Sequence, residues 1–331
     1  MNRIEKIWYQ GGWQVLPLLP ISWLFRLLVA IRYALYRHGR LKASRFLVPV
    51  IVVGNITVGG TGKTPFTIWL VNFLRRQGYR PGIVSRGYGG RATAWPQPVT
   101  SESDAALVGD EAVLLARRCQ CPMVVAPDRT SAVKMLLDSD GCDIVISDDG
   151  LQHYAMGRDI EIVIVDGQRR FGNEHLLPAG PLREPLSRLR DVDLVIVNEG
   201  EKSSASEYRM TLARYYIYNL MTPEKQKAIS AFKDEKVHAV AGIGDPQRFF
   251  NLLKKSGVEI TQHPFPDHHA YCADDLAFDD DKVVMMTEKD AVKCAAFAKP
   301  NHWVMAIEMS PENEVEACLE VLLKEIDVTN K

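Results

Sequence analysis

A glycine-rich turn near residue 60 contains the residue types that bind nucleotide phosphates. The segment GNITVGGTGKTP (54–65) carries the Gly-Lys-Thr that ends the phosphate-loop pattern G-x-x-x-x-G-K-[ST], but Thr57 replaces the first glycine of that pattern. We expect Lys63 to neutralise phosphate oxygens and Thr64 to ligate Mg²⁺, because both follow a turn whose backbone N–H groups can converge on an anion. The predicted phosphate-binding residues are Thr57, Val58, Gly59, Gly60, Thr61, Gly62, Lys63 and Thr64.

Acidic residues that could hold the metal follow a later apolar run. IVISDDGLQH (144–153) predicts a buried strand that ends in Asp148 and Asp149, and α/β folds bind ligands at the carboxyl ends of their strands. A carboxylate at that place can hold Mg²⁺ directly or through water. The sequence leaves open which of the two aspartates does so, and Asp166, at the end of EIVIVD, is a lower-ranked competitor.

A hydroxyl group that accepts a phosphoryl group needs a base or an orienting group beside it. VGDEAVLL places Asp110 and Glu111 at a predicted helix start, and FPDHHAY offers His268 and His269 in a loop of the second half. An aspartate at a helix start is usually a cap, and a loop histidine is more often a surface residue than a catalytic one. If two lobes close on each other, however, Asp110 and a histidine could form an acid–base pair.

The elements that must position these residues read as an α/β fold. Short β-branched runs alternate with helical stretches as far as residue 198, which predicts a P-loop NTPase-like, mostly parallel sheet with helices on both faces. The polar stretch EGEKSSASE then precedes a smaller α/β lobe. We predict three regions: an N-terminal membrane-interface segment (1–45), a P-loop domain (46–200) and a smaller lobe that closes over the site (201–331).

Charge and cysteine spacing exclude some classes of function. The net charge of −1 gives no global field that would attract nucleic acid. The six cysteines contain no C-x-x-C pair, so neither a disulfide framework nor a structural zinc site is expected. A reducing cytoplasm is the compartment that this cysteine usage favours.

The N-terminal region is strongly apolar yet basic. Residues 15–36 carry Arg26 and Arg32, which argues against both a secretory signal and a spanning helix. Six Arg or Lys and no acidic residue lie between positions 26 and 45. This pattern predicts a helix in a membrane interface beside anionic headgroups. The alternative is a core helix whose arginines reach solvent.

Motifs along nearly the whole chain resemble the tetraacyldisaccharide 4′-kinase (lipid A 4′-kinase) family. They include IEKIW, the GNITVGGTGKTP loop, VSRGYGG, GDE, SDDGLQH, RRFGN, LPAGPLRE and MTEKDAVK, in this order. The family loop likewise lacks the first glycine, so Thr57 is a shared feature. The resemblance implies a kinase that uses ATP and Mg²⁺ to phosphorylate the 4′-hydroxyl of a tetraacyldisaccharide 1-phosphate, giving lipid IVA.

The resemblance also implies where the kinase works and which residues act. It implies a peripheral protein at the cytoplasmic face of the inner membrane of a Gram-negative bacterium, with no nucleic-acid partner and no obligate protein partner. Asp110 would activate the hydroxyl with His268 as its partner, and the loop and the two aspartates would serve phosphate and metal. Weaker substrate-binding roles fall on Glu111, Arg129, Gln152, Arg183 and Glu184.

Two other classes of function remain as alternatives. Partitioning-type ATPases carry a related loop, K-G-G-x-G-K-T, whose first lysine crosses a dimer interface. Val58 occupies that position here, which argues against this mechanism. A membrane-associated structural protein with a vestigial loop is disfavoured by the intact Lys63 and Thr64 together with Asp148 and Asp149.

Overall fold

A single mixed sheet runs through the molecule. The computed structural model describes residues 3–329, and their strands are β1 (Val50–Gly54), β2 (Pro81–Ser85), β3 (Gln97–Pro98), β4 (Met123–Val125), β5 (Ile144–Asp148), β6 (Ile160–Asp166), β7 (Leu194–Asn198), β8 (Glu207–Asn219), β9 (Gln226–Lys227), β10 (Lys236–Ala241), β11 (Glu259–Pro264), β12 (Val284–Thr287) and β13 (His302–Pro311). The order across the sheet is β11-β10-β12-β13-β8-β7-β6-β1-β5-β2-β4-β3, with β9 paired to β8.

The first lobe is built on the strands β1 to β7. Strand β1 pairs in parallel with β5 on one side and β6 on the other, and every residue of these three strands is buried. Strands covered on both faces need continuous apolar sequence, which explains the runs VIVVG and IEIVIV. Because the strands are parallel, the segments that leave their carboxyl ends meet at one edge of the sheet.

The long strand β8 connects the two lobes through backbone hydrogen bonds. Its first residues, 207–210, pair in parallel with β7, and residues 210–219 pair antiparallel with β13. Strands β10 to β13 form the second lobe and pair in parallel with one another. The sheet therefore continues from one lobe into the other.

Helices cover both faces of the sheet, which confirms the predicted fold class. Residues of Lys63–Arg76 and Asp110–Cys119 share one apolar core cluster, and residues of Arg129–Asp140 join a second cluster on the other strand faces. The α-helices are α1 (Arg3–Gln10), α2 (Leu19–Arg37), α3 (Lys63–Arg76), α4 (Ala105–Val108), α5 (Asp110–Cys119), α6 (Arg129–Asp140), α7 (Pro246–Lys255), α8 (Glu288–Cys294) and α9 (Asn313–Thr329), and 3₁₀ turns occur at Trp13–Leu18, Leu186–Arg190, Ile229–Phe232, Ala273–Leu276 and Ala295–Phe297.

The last helix packs on the first lobe although it follows the second lobe in sequence. Leu319 and Leu323 of α9 belong to the apolar core that contains Phe66 and Leu74 of α3. The predicted range 201–331 for the second lobe therefore includes a helix that packs against the first lobe. The outermost residues of the predicted terminal ranges, 1–2 and 330–331, lie outside the described residues.

The N-terminal helix presents its apolar side to the exterior. Within residues 3–329 one helical run, Trp13–Arg37, is long and apolar enough to cross a membrane. Ser22 Oγ donates a hydrogen bond to the Leu176 carbonyl at 2.7 Å, so this polar side faces the protein. The large exposed apolar side chains are Trp13, Leu16, Ile21, Trp23, Leu24, Leu27, Leu28, Ile31 and Leu35. An ordinary surface helix buries its apolar side and exposes its polar side, whereas this helix does the reverse. The arrangement argues against the alternative that it is a core helix.

The packing of α9 predicts a stability difference between two neighbouring positions. Leu319→Ala should lower the free energy of unfolding by about 2–5 kcal/mol, because Leu319 is fully buried in the first-lobe core. Val321→Ala on the same helix should change it by less than about 0.5 kcal/mol, because Val321 is 55% exposed. Urea unfolding followed by circular dichroism measures both, and equal losses would contradict the packing of α9.

Candidate active site

The glycine-rich turn connects the buried strand β1 to the helix α3 at the sheet edge. Gly59 and Gly62 have φ angles of 93° and 94°, which lie in the left-handed region that glycine favours. A Cβ on Gly62 would lie 2.1 Å from Nδ2 of Asn198. That amide, at the end of β7, donates a hydrogen bond to the Thr61 carbonyl at 3.0 Å. The close approach of Asn198 therefore requires glycine at position 62 and fixes the loop.

The missing first glycine has a structural reason. Thr57 is 5% exposed and forms an isolated antiparallel bridge with Leu182, in the LPAGPLRE segment. The Thr57 carbonyl accepts a hydrogen bond from Arg183 Nε at 2.9 Å, and Val58 N–H donates to the Pro181 carbonyl at 2.9 Å. An extended, bridged backbone suits a threonine, so a glycine is not needed here.

Two of the weaker sequence candidates support the segment that leads into the loop. Gln152 Nε2 donates to the Asn55 carbonyl at 3.0 Å and to Glu184 Oε1 at 2.6 Å. Glu184 is buried, and it also accepts from the Tyr154 hydroxyl at 2.6 Å and pairs with Arg188 at 3.2 Å. Through these contacts Gln152 and Glu184 stabilise the position of the loop.

Cations surround Asp149, directly after β5. Lys63 Nζ lies 3.5 Å from Asp149 Oδ1, and Arg183 Nη2 lies 3.2 Å from the same oxygen. Arg129 donates to the Asp149 backbone carbonyl at 3.0 Å. Burial alone would raise the pKa of Asp149, but Lys63, Arg183 and Arg129 outweigh it and lower the pKa to about 2. Asp149 is therefore ionised and holds the loop lysine.

Within the described residues Asp148 has no direct ion pair, and the charge of Lys63, which lowers its pKa, does not outweigh its burial. Its carboxylate is 2% exposed and accepts from the hydroxyls of Thr67 at 3.2 Å and Ser85 at 3.5 Å. No cation in residues 3–329 lies within ion-pair distance of it. Burial and the charge of Glu111 raise its pKa to about 7. A bound cation would relieve this penalty, so the carboxylate fits a metal ligand.

The wider donor set suits a metal that is shared with a phosphate. No group of three or more His, Cys, Asp or Glu side chains in the described part of the chain could hold a metal ion alone. Mg²⁺ commonly takes one or two carboxylates and completes its shell with phosphate oxygens and water. Asp148 beside the loop that carries Thr64 matches this kind of site.

Two residues predicted from different halves of the sequence meet across the lobes. His268 Nδ1 lies 3.0 Å from Oδ1 and 3.1 Å from Oδ2 of Asp110, the first residue of α5. Burial would raise the pKa of Asp110, but the His268 hydrogen bond and the charges of Lys289 and Lys293 lower it to about 2. The Tyr88 ring packs against the imidazole with 5.1 Å between centroids. Asp110 is thus an ionised carboxylate held by the second lobe.

The carboxylate of the lower-ranked metal candidate Asp166 forms ion pairs with two arginines. Its carboxylate lies 3.0 Å from Arg169 and 2.8 Å from Arg248 of the second lobe. Arg169 also donates to the Gly60 carbonyl at 2.5 Å. Asp166 therefore anchors a second contact between the loop and the opposite lobe.

Sequence reasoning missed Asn198, Arg169 and Lys289. Asn198 and Arg169 lie at or just after the ends of buried strands, a position that does not by itself identify a contact with the loop. Lys289 lies in the MTEKDAVK motif, which contributes to the resemblance but gives this lysine no role. Their roles depend on contacts with distant segments, and no spacing in the sequence encodes these contacts.

Comparisons with known proteins agree on one family. The family model described as tetraacyldisaccharide-1-P 4′-kinase matches residues 14–326. A tetraacyldisaccharide 4′-kinase of Nitrosococcus oceani is 52% identical over 313 residues, which cover 93% of this chain and 90% of that protein. Another, from Alkalilimnicola ehrlichii, is 45% identical, with full coverage of both chains.

A solved structure has the same fold. It is a crystal structure of the "apo" form of LpxK from Aquifex aeolicus in complex with ATP, with a TM-score of 0.80 and 28% sequence identity. The match covers 93% of this chain and 99% of that one.

The contact of Asn198 with the loop predicts a selective effect on nucleotide binding. Asn198→Ala should raise the dissociation constant for ATP about tenfold, because the Thr61 carbonyl loses the donor that fixes the loop. Isothermal titration calorimetry measures this constant. Asn301→Ala is a matched control, since its amide also donates to a backbone carbonyl, that of Lys282 at 2.7 Å, far along the chain from the loop. Equal affinities of both variants and the parent would contradict the role of Asn198.

Proposed function

This chain belongs to the tetraacyldisaccharide-1-P 4′-kinase family, and from this membership we infer that it is an ATP-dependent kinase of the lipid A disaccharide. It transfers the γ-phosphoryl group of ATP to the 4′-hydroxyl of tetraacyldisaccharide 1-phosphate and gives lipid IVA. The observation that carries this conclusion is the family match over residues 14–326. The intact phosphate loop, and the meeting of Asp110 and His268 beside it, support the same conclusion.

We assign phosphate binding to residues 57–64. The N–H groups of the loop and of the first turn of α3 would receive the phosphate oxygens, where the helix dipole also favours an anion. The Lys63 ammonium would neutralise the β- and γ-phosphates, either in place of its ion pair with Asp149 or in addition to it. The ion pair with Asp149, at 3.5 Å, holds the ammonium next to the loop.

We assign the metal to Asp148 and Thr64, with Asp149 as the neighbouring carboxylate. These residues would hold Mg²⁺, which would neutralise charge that develops on the transferred phosphoryl group. Asp148 needs such a cation because burial and Glu111 disfavour its ionised form. Asp149 is better suited to orient Lys63, because two arginines and this lysine already compensate it.

Asp110 is the base in this proposal. Its carboxylate would accept the proton of the 4′-hydroxyl while the oxygen forms its bond to the γ-phosphorus and the bond to the β-phosphate oxygen breaks, so that ADP leaves. His268 would hold Asp110 in place and stabilise its charge. The two groups come from different lobes, so this arrangement would form when the lobes close.

The weaker substrate assignments divide into two groups. Arg129, Arg183 and Gln152 contact Asp149 or the loop, and Glu184 holds Gln152, so any effect on the disaccharide would be exerted through the loop. Glu111 lies at the Asp110 end of α5 and pairs with Lys289 at 3.0 Å. It is the member of the set best situated to contact the sugar, and this role remains a prediction.

The N-terminal helix supports a peripheral location at the cytoplasmic face of the inner membrane. The acyl chains of the substrate remain in the bilayer, so the kinase must lie against the surface to reach the 4′-hydroxyl. The outward apolar side of α2 would insert among the lipids, and each exposed basic residue near anionic lipid adds about 1 kcal/mol. These basic residues are Arg26, Arg32, Arg37, Arg40, Lys42 and Arg45. No nucleic-acid or obligate protein partner is needed.

Transfer of label from γ-³²P-ATP to the detergent-dispersed disaccharide tests the function directly. We expect labelled lipid from the unaltered protein and a loss of at least a thousandfold in kcat for Lys63→Ala, because the phosphate charge is no longer neutralised. Lys134→Ala, an exposed lysine of α6, is the control and should retain activity. ATP hydrolysis without labelled lipid would instead favour a switch-type ATPase.

The exposed apolar side of α2 predicts a loss of membrane binding. Replacement of Leu24, Leu27 and Leu28 by Ser should weaken co-sedimentation with vesicles of phosphatidylethanolamine and phosphatidylglycerol at least tenfold, because each leucine loses apolar contact with lipid. Turnover of detergent-dispersed substrate should change less. Val321→Ser, also about half exposed, should leave vesicle binding unchanged. Undiminished binding of the triple variant would contradict the interfacial helix.

A further inference from the structure

Lys289 lies against the imidazole of His268, and the transfer described above gives it no role. Its Nζ is 3.0 Å from Glu111 Oε1, 3.0 Å from Asp267 Oδ1 and 3.3 Å from His268 Nε2. The side chain is 15% exposed. Burial alone would lower the pKa of Lys289, but Glu111, Asp110 and Asp267 outweigh it and raise the pKa. Lys289 is therefore an ammonium, which can only donate hydrogen bonds.

The opposite ring nitrogen faces a group that can only accept. The ionised carboxylate of Asp110 lies within 3.1 Å of His268 Nδ1 through both oxygens. Nδ1 must therefore carry a proton, and Nε2, which faces the ammonium of Lys289, must present its lone pair. The two neighbours together select one neutral tautomer of the imidazole.

We propose that Lys289 is a positioning residue that holds His268 as the neutral Nδ1–H tautomer and thereby keeps Asp110 available as the base. The proposal rests on the role of Asp110 as the proton acceptor. Lys289 acts through His268, because its ammonium forms ion pairs with Glu111 and Asp267 but not with Asp110. It adds a third member to the pair formed by Asp110 and His268.

Among the other groups around the imidazole, the carboxylate of Asp267 favours a different protonation state. Asp267 Oδ2 lies 3.7 Å from Nε2 and would attract a proton there. Lys293 lies 3.5 Å from Asp110 Oδ2, on the carboxylate side, and Tyr88 contacts the ring face. Lys289 is the cation next to Nε2, so it is the group that opposes the second proton.

The consequence for pH dependence has a definite sign. The pKa of His268 is raised on balance, because the Asp110 hydrogen bond outweighs burial and the charge of Lys289, which lower it. Removal of the ammonium should raise the imidazole pKa further. An imidazolium paired with Asp110 makes that carboxylate a weaker base. Without the Lys289 ammonium, the decrease in kcat on acidification should therefore begin at a higher pH than in the unaltered protein.

The contacts of Lys289 also connect this tautomer to lobe closure. Glu111 belongs to α5 of the first lobe, whereas Lys289 and Asp267 belong to the second. With the lobes apart, Lys289 would lose Glu111 and His268 would lose Asp110. The selected tautomer and the base therefore exist together in the closed arrangement.

The unaltered protein provides the first test. ¹⁵N NMR of histidine-labelled protein at pH 8, with the signal of His268 assigned from the His268→Asn variant, reports which ring nitrogen carries the proton. We expect the Nδ1–H tautomer, which is the minor form of free histidine in water. The Nε2–H tautomer, or a doubly protonated ring at this pH, would overturn the proposal.

Two variants give the second test. Lys289→Met removes the charge with little loss of volume, and its kcat at pH 7 should fall by up to about tenfold and recover at alkaline pH. The acid limb of its kcat–pH profile should move up by about one pH unit. KM for either substrate should change less than threefold. Lys289→Arg keeps a cation and should retain a limb near the original position.

A matched control separates this effect from simple joining of the lobes. Glu288, the preceding residue of α8, pairs with Arg118 of the first lobe at 2.6 Å, and both side chains are at most 14% exposed. Glu288→Gln weakens a buried contact between the lobes without touching His268, so its acid limb should stay in place. An equal shift in Glu288→Gln, or no shift in Lys289→Met, would overturn the proposal.

Failure of the underlying function would look different. If Asp110→Asn retained full transfer of label to the lipid, the assignment of Asp110 as the base would be wrong. If Asp110→Asn were inactive while Lys289→Met kept the original pH profile, only the role of Lys289 would be wrong.

Discussion

Compensation of buried negative charge is the constraint on which the rest of the site depends. Four aspartates lie at or near the carboxyl edge of the first-lobe sheet, and an uncompensated carboxylate there would be costly. Asp110 has His268, Asp149 has Lys63 and Arg183, and Asp166 has Arg169 and Arg248. Asp148 alone among these four has only hydroxyl partners. The same principle that explains the ion pairs thus singles out the carboxylate suited to a metal.

The compensating cations also join the two lobes. His268, Lys289 and Arg248 reach from the second lobe to carboxylates of the first, and Arg118 reaches the other way to Glu288. Strand β8 connects the lobes by backbone hydrogen bonds, so relative motion would involve the β8–β13 ribbon, which has a register shift at Glu308 and Met309. If the lobes move apart as predicted, these pairs would break together, so closure and assembly of the site would be one event.

The N-terminal helix solves a separate problem, that of a substrate held in a bilayer. Ser22 and Tyr33 bind the protein through hydrogen bonds, so the polar side of α2 is used for anchoring. The apolar side is left outward, where burial in the lipid interface is the favourable alternative to water. A helix with this polarity is stable on the protein and still available to a membrane.

The sequence by itself determined the features that depend on local pattern. Continuous β-branched runs predicted the buried parallel strands, and the Gly-Lys-Thr turn predicted the loop, because both follow from periodicity and backbone freedom within a few residues. The long shared motifs indicated the family and, through it, the pairing of Asp110 with His268, which lie 158 positions apart.

Only the tertiary structure decided what depends on contacts between distant segments. It showed why Thr57 suits its bridge to Leu182, why Asn198 requires Gly62, and that α9 packs on the first lobe. It also brought Lys289 to the imidazole of His268. These outcomes follow from the sheet order and from charge compensation in a buried space, and both arise only when the chain has folded.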